Sequence, residues 1–529
     1  MSVRNGIFLL VALSTLAFLV ACGSYSSPKP VPPPSGSFSN SNLKGTYVIS
    51  ISGTDANGST SSFFAIVGTI TADGNGNITG GTVDINDPNI GGFFPAQTVS
   101  ANTYKVGTDG RGTGTLSTPE GNLFLDFVLT SNGHGLITRF DNSGTGSGTL
   151  DLQSSTSQSS LASLAFSLSG FDGTETFLLG SVGAFTLDPS GNVTSGTQDF
   201  NEGGSSAGLA DLSLTVPGSS LVLTSSTSGT AVLTTSSSFG SLNFDVWVID
   251  STHLKLIETD TAALLAGDAF TQQTSFPAGQ LVYTLAGSDS SIPANPLVAG
   301  GFVTTDVNGN LTNGVEDFND GGLTSTQPSF TGSCTAFVAG RCQLQLAGFS
   351  NGALNTFVFA AYPSSAGVQL LEVDSLGQLQ GAAYAQTATS FAASQGYGLN
   401  LSGTNGNEVD DIAEFTATAT SISGILDEND LGFPYVPETL SGTYAADSPA
   451  TGRGSITVPS LKYGIGTLNL EYYVIDSSTV LLIDGDSNPP QVAVGTFQLQ
   501  NASSSPAAAQ SAIGMFRPVF RPRGAIRRK

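Results

Sequence analysis

The sequence is poor in the residue types that metal binding, nucleophilic catalysis and nucleic-acid binding require. Its 529 residues include two histidines, one tryptophan, three cysteines and two methionines. Sixteen basic residues stand against 40 acidic ones, for a net charge of −24, whereas a nucleic-acid interface needs a basic face. With no cysteine near His134 or His253, the sequence disfavours a zinc site, and two histidines also disfavour a histidine-dependent nucleophilic triad. The single Trp247 leaves little from which to build a sugar-stacking platform.

Glycine, serine and threonine are abundant instead, and no stretch sustains a 3.6-residue hydrophobic period. One short pattern occurs four times, with large apolar residues at alternate positions before a glycine. The closing glycines lie 116 or 117 residues apart, at Gly53, Gly170, Gly287 and Gly403. Alternation with period two places one face in a core, which is typical of antiparallel sheet.

Two further motifs recur with the same spacing. Residues 73–87, 188–202 and 306–320 each read as Asp, a Gly/Asn turn, an apolar residue, Thr, Gly and then Asp-x-Asn-acid. A worn fourth copy keeps Asp427-Glu428-Asn429-Asp430. Each unit closes on Gly-x-x-x-x-Gln, and the glutamines are Gln153, Gln272, Gln386 and Gln500.

These motifs divide the chain into repeated units of seven or eight short strands joined by short turns. We predict an all-β fold: a tandem array of four antiparallel meander units of about 115 residues, each a small eight-stranded up-and-down barrel with no free edge. A β-sandwich per unit is the alternative. The predicted boundaries are a signal peptide at 1–21, a linker at 22–40, repeats at 41–154, 160–273, 279–387 and 394–501, and a tail at 502–529.

The first residues resemble the signal sequence of bacterial lipoproteins. A basic Arg4, a short apolar run and small residues lead to Leu19-Val20-Ala21-Cys22, which is similar to that family's lipobox. The resemblance implies that Cys22 is lipidated and becomes the N-terminus, so that the membrane is a partner through the lipid anchor. The family's inner-membrane retention signal is Asp after the Cys, and Gly23 stands there instead, which implies the outer membrane.

The segments that flank the repeats differ from them in composition. The linker is rich in Ser, Gly and Pro, and we expect it to be an extended spacer between the anchor and the folded part. The tail carries six of the sixteen basic residues, with apolar residues between them. It could contact anionic lipid or the protein's own acidic loops, or have no dedicated role.

The Asp-containing turns have oxygen-bearing side chains at calcium-loop spacing. The candidates are Asp73, Asn75, Asn77 and Asp84; Asp188, Ser190, Asn192 and Asp199; and Asp306, Asn308, Asn310 and Asp317. The sixth position of a calcium loop should be Gly, but it holds Ile78, Val193 or Leu311 here. Because Gly and Asn also suit tight hairpins, we favour plain turns, with no cofactor, over calcium sites.

Four kinds of isolated residue remain. His134 and His253 occupy equivalent positions, which we interpret as solvated turns. Asp126, Asp245 and Glu471 interrupt apolar strands at aligned places, and we expect outward-facing or hydrogen-bonded acids. Cys334 and Cys342 flank the turn at Gly340-Arg341, where a hairpin would bring them together, so we predict a structural disulfide in an exported compartment.

The sequence leaves three functional hypotheses open. The first is a non-enzymatic, lipid-anchored envelope protein with a binding or structural role, whose glycan, envelope or protein partner is unknown. The second is a carrier that holds a small apolar ligand inside a barrel, which requires an unfilled cavity. The third is a hydrolase of envelope or extracellular polysaccharide, which requires convergent carboxylates.

Overall fold

The computed structural model describes residues 38–56, 61–203, 208–338, 340–350, 353–435, 437–459, 461, 466–487 and 491–501. Within these residues the protein is all-β, as predicted. Besides strands it has three short 3₁₀ turns, at Asn40–Asn42, Pro88–Ile90 and Gln158–Ser160. No helix among the described residues is long and apolar enough to cross a membrane. The predicted signal peptide, Cys22, most of the linker and the tail lie outside the described residues.

The strands of the first two repeats follow one plan. Repeat 1 contains β1 (Lys44–Asp55), β2 (Ser62–Asp73), β3 (Asn77–Asp87), β4 (Gly92–Val99), β5 (Asn102–Val106), β6 (Arg111–Thr118), β7 (Gly121–Leu129), β8 (His134–Asp141) and β9 (Gly144–Leu152). Repeat 2 contains β10 (Ser163–Asp172), β11 (Leu178–Leu187), β12 (Val193–Glu202), β13 (Leu209–Ser213), β14 (Ser220–Leu223), β15 (Ser228–Thr234), β16 (Ser241–Asp250), β17 (His253–Glu258) and β18 (Ala263–Thr271).

Repeats 3 and 4 have eight strands each. Repeat 3 contains β19 (Gly279–Asp289), β20 (Pro296–Thr305), β21 (Asn310–Asp320), β22 (Leu323–Val338), β23 (Arg341–Ser350), β24 (Ala353–Ser364), β25 (Gly367–Glu372) and β26 (Gly377–Ala385). Repeat 4 contains β27 (Gln395–Thr404), β28 (Glu408–Ala417), β29 (Ser421–Asp430), β30 (Glu438–Ala446), β31 (Arg453–Val458), β32 (Leu468–Val474), β33 (Thr479–Asp484) and β34 (Val492–Leu499).

Three of the four repeats are closed barrels. Repeats 3 and 4 close through the pairing of their first and last strands, and in repeat 1 the β2–β3 pairing closes the sheet. Repeat 2 is an open nine-stranded sheet, because β13 and β14 do not pair with each other. The segment between them contains Pro217, which has no N–H to donate to a ladder. The predicted barrels are therefore confirmed, with one left open, and the sandwich alternative is wrong.

The interior of each repeat is filled by its own large side chains. The alternate residues Leu164, Phe166 and Leu168 of β10 lie in the core of repeat 2, and the first strands of the other repeats place their alternate residues likewise. In repeat 4 the rings of Phe415 and Phe497 pack with their centroids 5.2 Å apart. A void of about 10 Å³ remains beside them. That is roughly the space of a single water molecule.

The outward faces of the strands join the repeats in a closed cycle. Apolar clusters connect repeat 1 to repeat 2, repeat 2 to repeat 3 and repeat 3 to repeat 4. Repeat 4 then meets repeat 1, where Ile412 packs on Val128 and Asp410 accepts from Ser147 Oγ at 2.5 Å. A tandem array of separate barrels is thus an incomplete description. The face opposite each core is covered by a neighbouring repeat, where the sequence expected water or loose cover.

Candidate functional site

The turn that recurs in repeats 1 to 3 is a self-contained hydrogen-bonded loop. Asp306 Oδ1 accepts from the backbone N–H groups of Asn308 (2.8 Å) and Asn310 (2.9 Å), and Oδ2 accepts from Asn310 Nδ2 at 2.8 Å. Asp73 and Asp188 cap their turns in the same way. The bonds from Asn77 and Asn75 lower the pKa of Asp73 to about 2. The carboxylate that a calcium loop would use first is therefore satisfied by its own turn.

The acid at the twelfth calcium position is far from that turn. Asp84 lies seven residues along the extended strand β3 from Asn77, roughly 23 Å at 3.3 Å per residue. Asp199 and Asp317 have the equivalent place on β12 and β21. Among the described residues, no group of three or more His, Cys, Asp or Glu is placed to hold a metal ion. The structure therefore does not bring the sequence-predicted calcium set together.

Each of these distant acids instead accepts hydrogen bonds from side chains of the following repeat. Asp317 of repeat 3 receives Arg453 of repeat 4, with Nε–Oδ2 at 2.6 Å and Nη2–Oδ1 at 2.8 Å, and it also accepts from Tyr473 OH at 2.6 Å. Asp199 of repeat 2 receives Arg341 and Tyr362 of repeat 3 in the same manner. We call this arrangement of an aspartate with the Arg and aromatic residue of the next repeat the clasp.

The other two clasps keep one partner each. Asp84 of repeat 1 accepts from Trp247 Nε1 of repeat 2 at 2.6 Å, where Ser228 replaces the arginine. Asp427 of repeat 4 receives Arg111 Nη1 of repeat 1 at 3.1 Å, and Val128 replaces the aromatic residue. The fourth clasp runs from the last repeat to the first, so the cycle is closed by the same device that joins its other members.

The asparagine two residues after the clasp aspartate makes a second link. Asn319 Nδ2 lies 3.0, 3.2 and 2.8 Å from the carbonyl oxygens of Asp484, Asp486 and Gln491 in repeat 4. Asn429 Nδ2 makes the equivalent contacts to three carbonyls of repeat 1. Asn86 Nδ2 donates to a backbone carbonyl of repeat 2, and Asn201 Nδ2 donates to two backbone carbonyls of repeat 3. The Asp-x-Asn motif is therefore an inter-repeat joint and not a turn or a ligand set.

In repeats 1, 3 and 4 the glutamine that closes the unit makes a third link. Gln386 Nε2 donates to Val474 O of repeat 4 at 2.8 Å, and Gln500 Nε2 donates to Asp109 O of repeat 1 at 2.8 Å. Gln153 donates likewise to Val248 O of repeat 2. A sequence signal for these joints did exist. The worn fourth copy loses the turn aspartate but keeps Asp427 and Asn429, which separates the two functions of the motif.

The two histidines are buried and hydrogen-bonded to aspartates, so their interpretation as solvated turns is wrong. Each is 5% exposed. His134 Nδ1 lies 2.6 Å from Asp151 Oδ1, while Asp268 Oδ1 is 2.6 Å from His253 Nε2 and 2.7 Å from Lys255 Nζ. Although burial acts to raise it, the pKa of Asp151 is brought down to about 2 by His134 beside it, with Lys255 and His253 acting from repeat 2. The positions are outward-facing on their barrels, but neighbouring repeats cover them.

The mid-strand acids lie beside the clasps, at three separate interfaces. Burial and the charge of Asp427 raise the pKa of Asp126 to about 7, and burial and Asp84 raise that of Asp245 to about 6. Glu471 has its Oε2 3.2 Å from Arg453 Nη2, yet burial brings its pKa to about 7. The expectation of outward-facing acids holds, but their surroundings are the neighbouring repeats.

The predicted disulfide between Cys334 and Cys342 is present. Their Cα atoms are 5.6 Å apart, and both side chains belong to the core of repeat 3. The backbone N–H of Cys334 also donates to Gly309 O at 2.7 Å, which ties the bridged hairpin to the turn of Asp306. The bridge is buried between two strands of one barrel, in keeping with a structural role.

Comparisons with known proteins give little beyond this. The sequence matches no protein-family model and no curated protein. Among solved structures, kievitone hydratase from Nectria haematococca is similar at 9% identity and a TM-score of 0.17, over 43% of this chain and 90% of that one. A double and a single mutant of transferrin binding protein B from Haemophilus parasuis Hp5 are similar at 9% and 8% identity, with TM-scores of 0.18 and 0.19. The matches cover 71% and 90% of this chain and 82% and 100% of those chains. TM-scores this low do not establish a shared fold.

Proposed function

We propose that the protein is an exported, lipid-anchored, non-enzymatic component of the cell envelope, with a binding or structural role at the outer membrane. The observation that supports this most is the use of the repeat motifs. The aspartate, asparagine and glutamine that define the repeats are engaged in joining them, and the turn aspartates cap their own loops. The repeated residues thus build a scaffold and supply no common set of groups for chemistry.

The two other hypotheses have less support. A carrier needs an empty interior, whereas the barrel interiors are packed with Phe, Tyr, Leu and Ile side chains. A polysaccharide hydrolase needs two carboxyls facing one substrate. Glu471 and Asp317 are both held by Arg453 between repeats 3 and 4, and another close pair, Asp411 with Glu428, is buried.

The anchor is tested by two substitutions in the native host. Cys22→Ser should leave the protein unprocessed or release it from the membrane fraction, because the lipid is then absent. Gly23→Asp keeps the cysteine and should move the protein to the inner-membrane fraction, as the lipoprotein resemblance implies. Fractionation with immunodetection and mass analysis of the N-terminal peptide are the measurements. Unchanged membrane association of Cys22→Ser with ordinary signal cleavage would refute the anchor.

A further inference from the structure

A cleft of about 380 Å³ opens between repeats 3 and 4, outside the barrels. Its volume lies within the range of small-molecule sites. Its deeper wall includes the buried side chains of Tyr384 and Ile475, and its mouth includes the exposed Gln273, Ser275 and Ser365. The cleft therefore has an apolar floor and a polar rim.

The cleft exists because the four repeats are not identical at this place. Its lining includes Gly367 and Thr479, which occupy the positions of His134 and His253 in the first two repeats. In the first two repeats those histidines are buried and hydrogen-bonded to aspartates. At Gly367 a Cβ would come within 2.8 Å of the Tyr384 ring, so the glycine allows that ring to lie close against the backbone. The opening is thus a local departure from the symmetry of the cycle.

The chemistry of the lining restricts the ligand. Among the described residues that line the cleft, Asp476 is the only charged one, so none of them supplies a cation to hold an anion. A wholly apolar ligand that displaced water from the hydroxyls of Ser275, Ser365 and Thr479 and from the amide of Gln273 would leave them unpaired, which is costly. The Asp476 carboxylate already accepts from Ser478 N and Oγ, both at 2.7 Å, which lowers its value as an ammonium site. A neutral ring with many hydroxyls and an apolar face fits best.

We propose that this cleft binds a sugar residue, with its apolar face on Tyr384 and Ile475 and its hydroxyls on the rim. The inference rests on the proposed binding role and deepens it by naming a carbohydrate as the ligand class. Tyr384 supplies the ring that the single Trp247, engaged in a clasp, does not. The site takes one or two sugar units, because a 380 Å³ cleft holds no longer stretch of chain.

The test uses the full-length protein in a detergent without a sugar headgroup. Glucose, galactose, mannose, xylose, N-acetylglucosamine and their common disaccharides are titrated by saturation-transfer NMR and calorimetry, with choline as an organic cation. Ser365→Trp places an indole in the mouth of the cleft. Ser251→Trp makes the same change at the exposed equivalent turn of repeat 2 and is the matched control.

We expect at least one saccharide to bind with a dissociation constant on the order of a millimolar or tighter. Ser365→Trp should weaken that binding by about tenfold or more, while Ser251→Trp leaves it unchanged. Absence of saccharide binding, or binding that Ser365→Trp does not weaken, overturns the proposal. So does choline binding that exceeds every sugar and is lost in Asp476→Asn, which would reassign the cleft to cations. None of these outcomes bears on Cys22, so the anchor stands or falls separately.

Discussion

Arg111 of repeat 1 donates from Nη1 to Asp427 Oδ2 of repeat 4 at 3.1 Å, across 316 residues of sequence. The pair is the fourth clasp, which lacks the aromatic residue. Asn429 and Gln500 cross the same interface beside it. In a chain of tandem repeats, the first and last units would ordinarily each have one face that no neighbouring repeat covers. Here those two faces pack against each other.

The clasp between repeats 3 and 4 should be a strong contributor to stability. Arg453→Met leaves the buried Asp317 carboxylate without its cation, and breaking such a pair costs about 3–5 kcal/mol in the free energy of unfolding. Lys105→Met, at an exposed position, is the control. Chemical denaturation measures both. The double variant Arg453→Met/Asp317→Asn should recover part of the loss, and simple additivity of the two single effects would show that the residues are not coupled.

Stability should fall as the pH rises from about 4 to about 8. Burial raises the pKa of Glu414 to about 8 and of Asp126 and Glu471 to about 7, so the folded chain binds these protons more tightly than the unfolded chain does. The stability they contribute is complete below their unfolded pKa and is lost through the folded one. Below about pH 4, Asp73 and Asp151, each with a pKa of about 2, act in the opposite direction.

Thermal melts between pH 3 and pH 9 check this profile, and the melting temperature should be highest near pH 4 to 5 (from the ordinary carboxyl pKa of about 4). Glu414→Gln removes one of the raised groups and should flatten the decline towards pH 8. Glu120→Gln, at an exposed turn, should leave the profile as it is. A melting temperature that rises steadily from pH 4 to pH 8 would contradict the assignment of neutral buried carboxyls.

Calcium should not raise the melting temperature. A ligand at a hundredfold excess over its dissociation constant stabilises the state it binds by about 2.7 kcal/mol. The Asp306 carboxylate already accepts three hydrogen bonds from its turn, and Asp317 is held in a clasp. Melts with millimolar calcium and with chelator should therefore coincide. A chelator-sensitive rise that Asp306→Ala abolishes would restore the calcium interpretation of the turns.

Repeat 3 alone, residues 279–387, should fold in an oxidising compartment. It keeps a closed barrel, its own core and the Cys334–Cys342 bridge. Excision uncovers outward apolar side chains that repeats 2 and 4 normally cover, among them Tyr362 and Phe302. We expect β-type circular dichroism and a cooperative melt, with concentration-dependent association seen by analytical ultracentrifugation.

A substitution on one outward face separates the folding of repeat 3 from its self-association. Phe302→Ser reduces the uncovered face without touching the core, so it should lower association while the fold persists. A fragment that is unfolded alone but folds when joined to repeat 2 would show that the interfaces, and not the barrel core, carry the stability of the unit.

Local patterning in the sequence determined the strands, their turns and the inward faces. The alternation of Tyr47, Ile49 and Ile51 has period two because successive side chains of a strand point to opposite sides, so one side had to be a core. The glycines of the Asp-Gly-Asn turns and the spacing of Cys334 and Cys342 are likewise read from a few neighbouring residues. These features follow from backbone geometry over short distances.

Only the tertiary structure decided what covers the outward faces. His134 and Asp84 both alternate away from their barrel core, and along the strand such positions are indistinguishable from solvent-facing ones. Their burial depends on Asp151 across a strand pair and on Trp247 in the next repeat, 163 residues away. Which distant surface approaches is set by the packing of whole repeats against one another, which the one-dimensional pattern does not encode. The Asp-x-Asn motif could therefore be found in the sequence, while its use as a joint required the repeats to be in place.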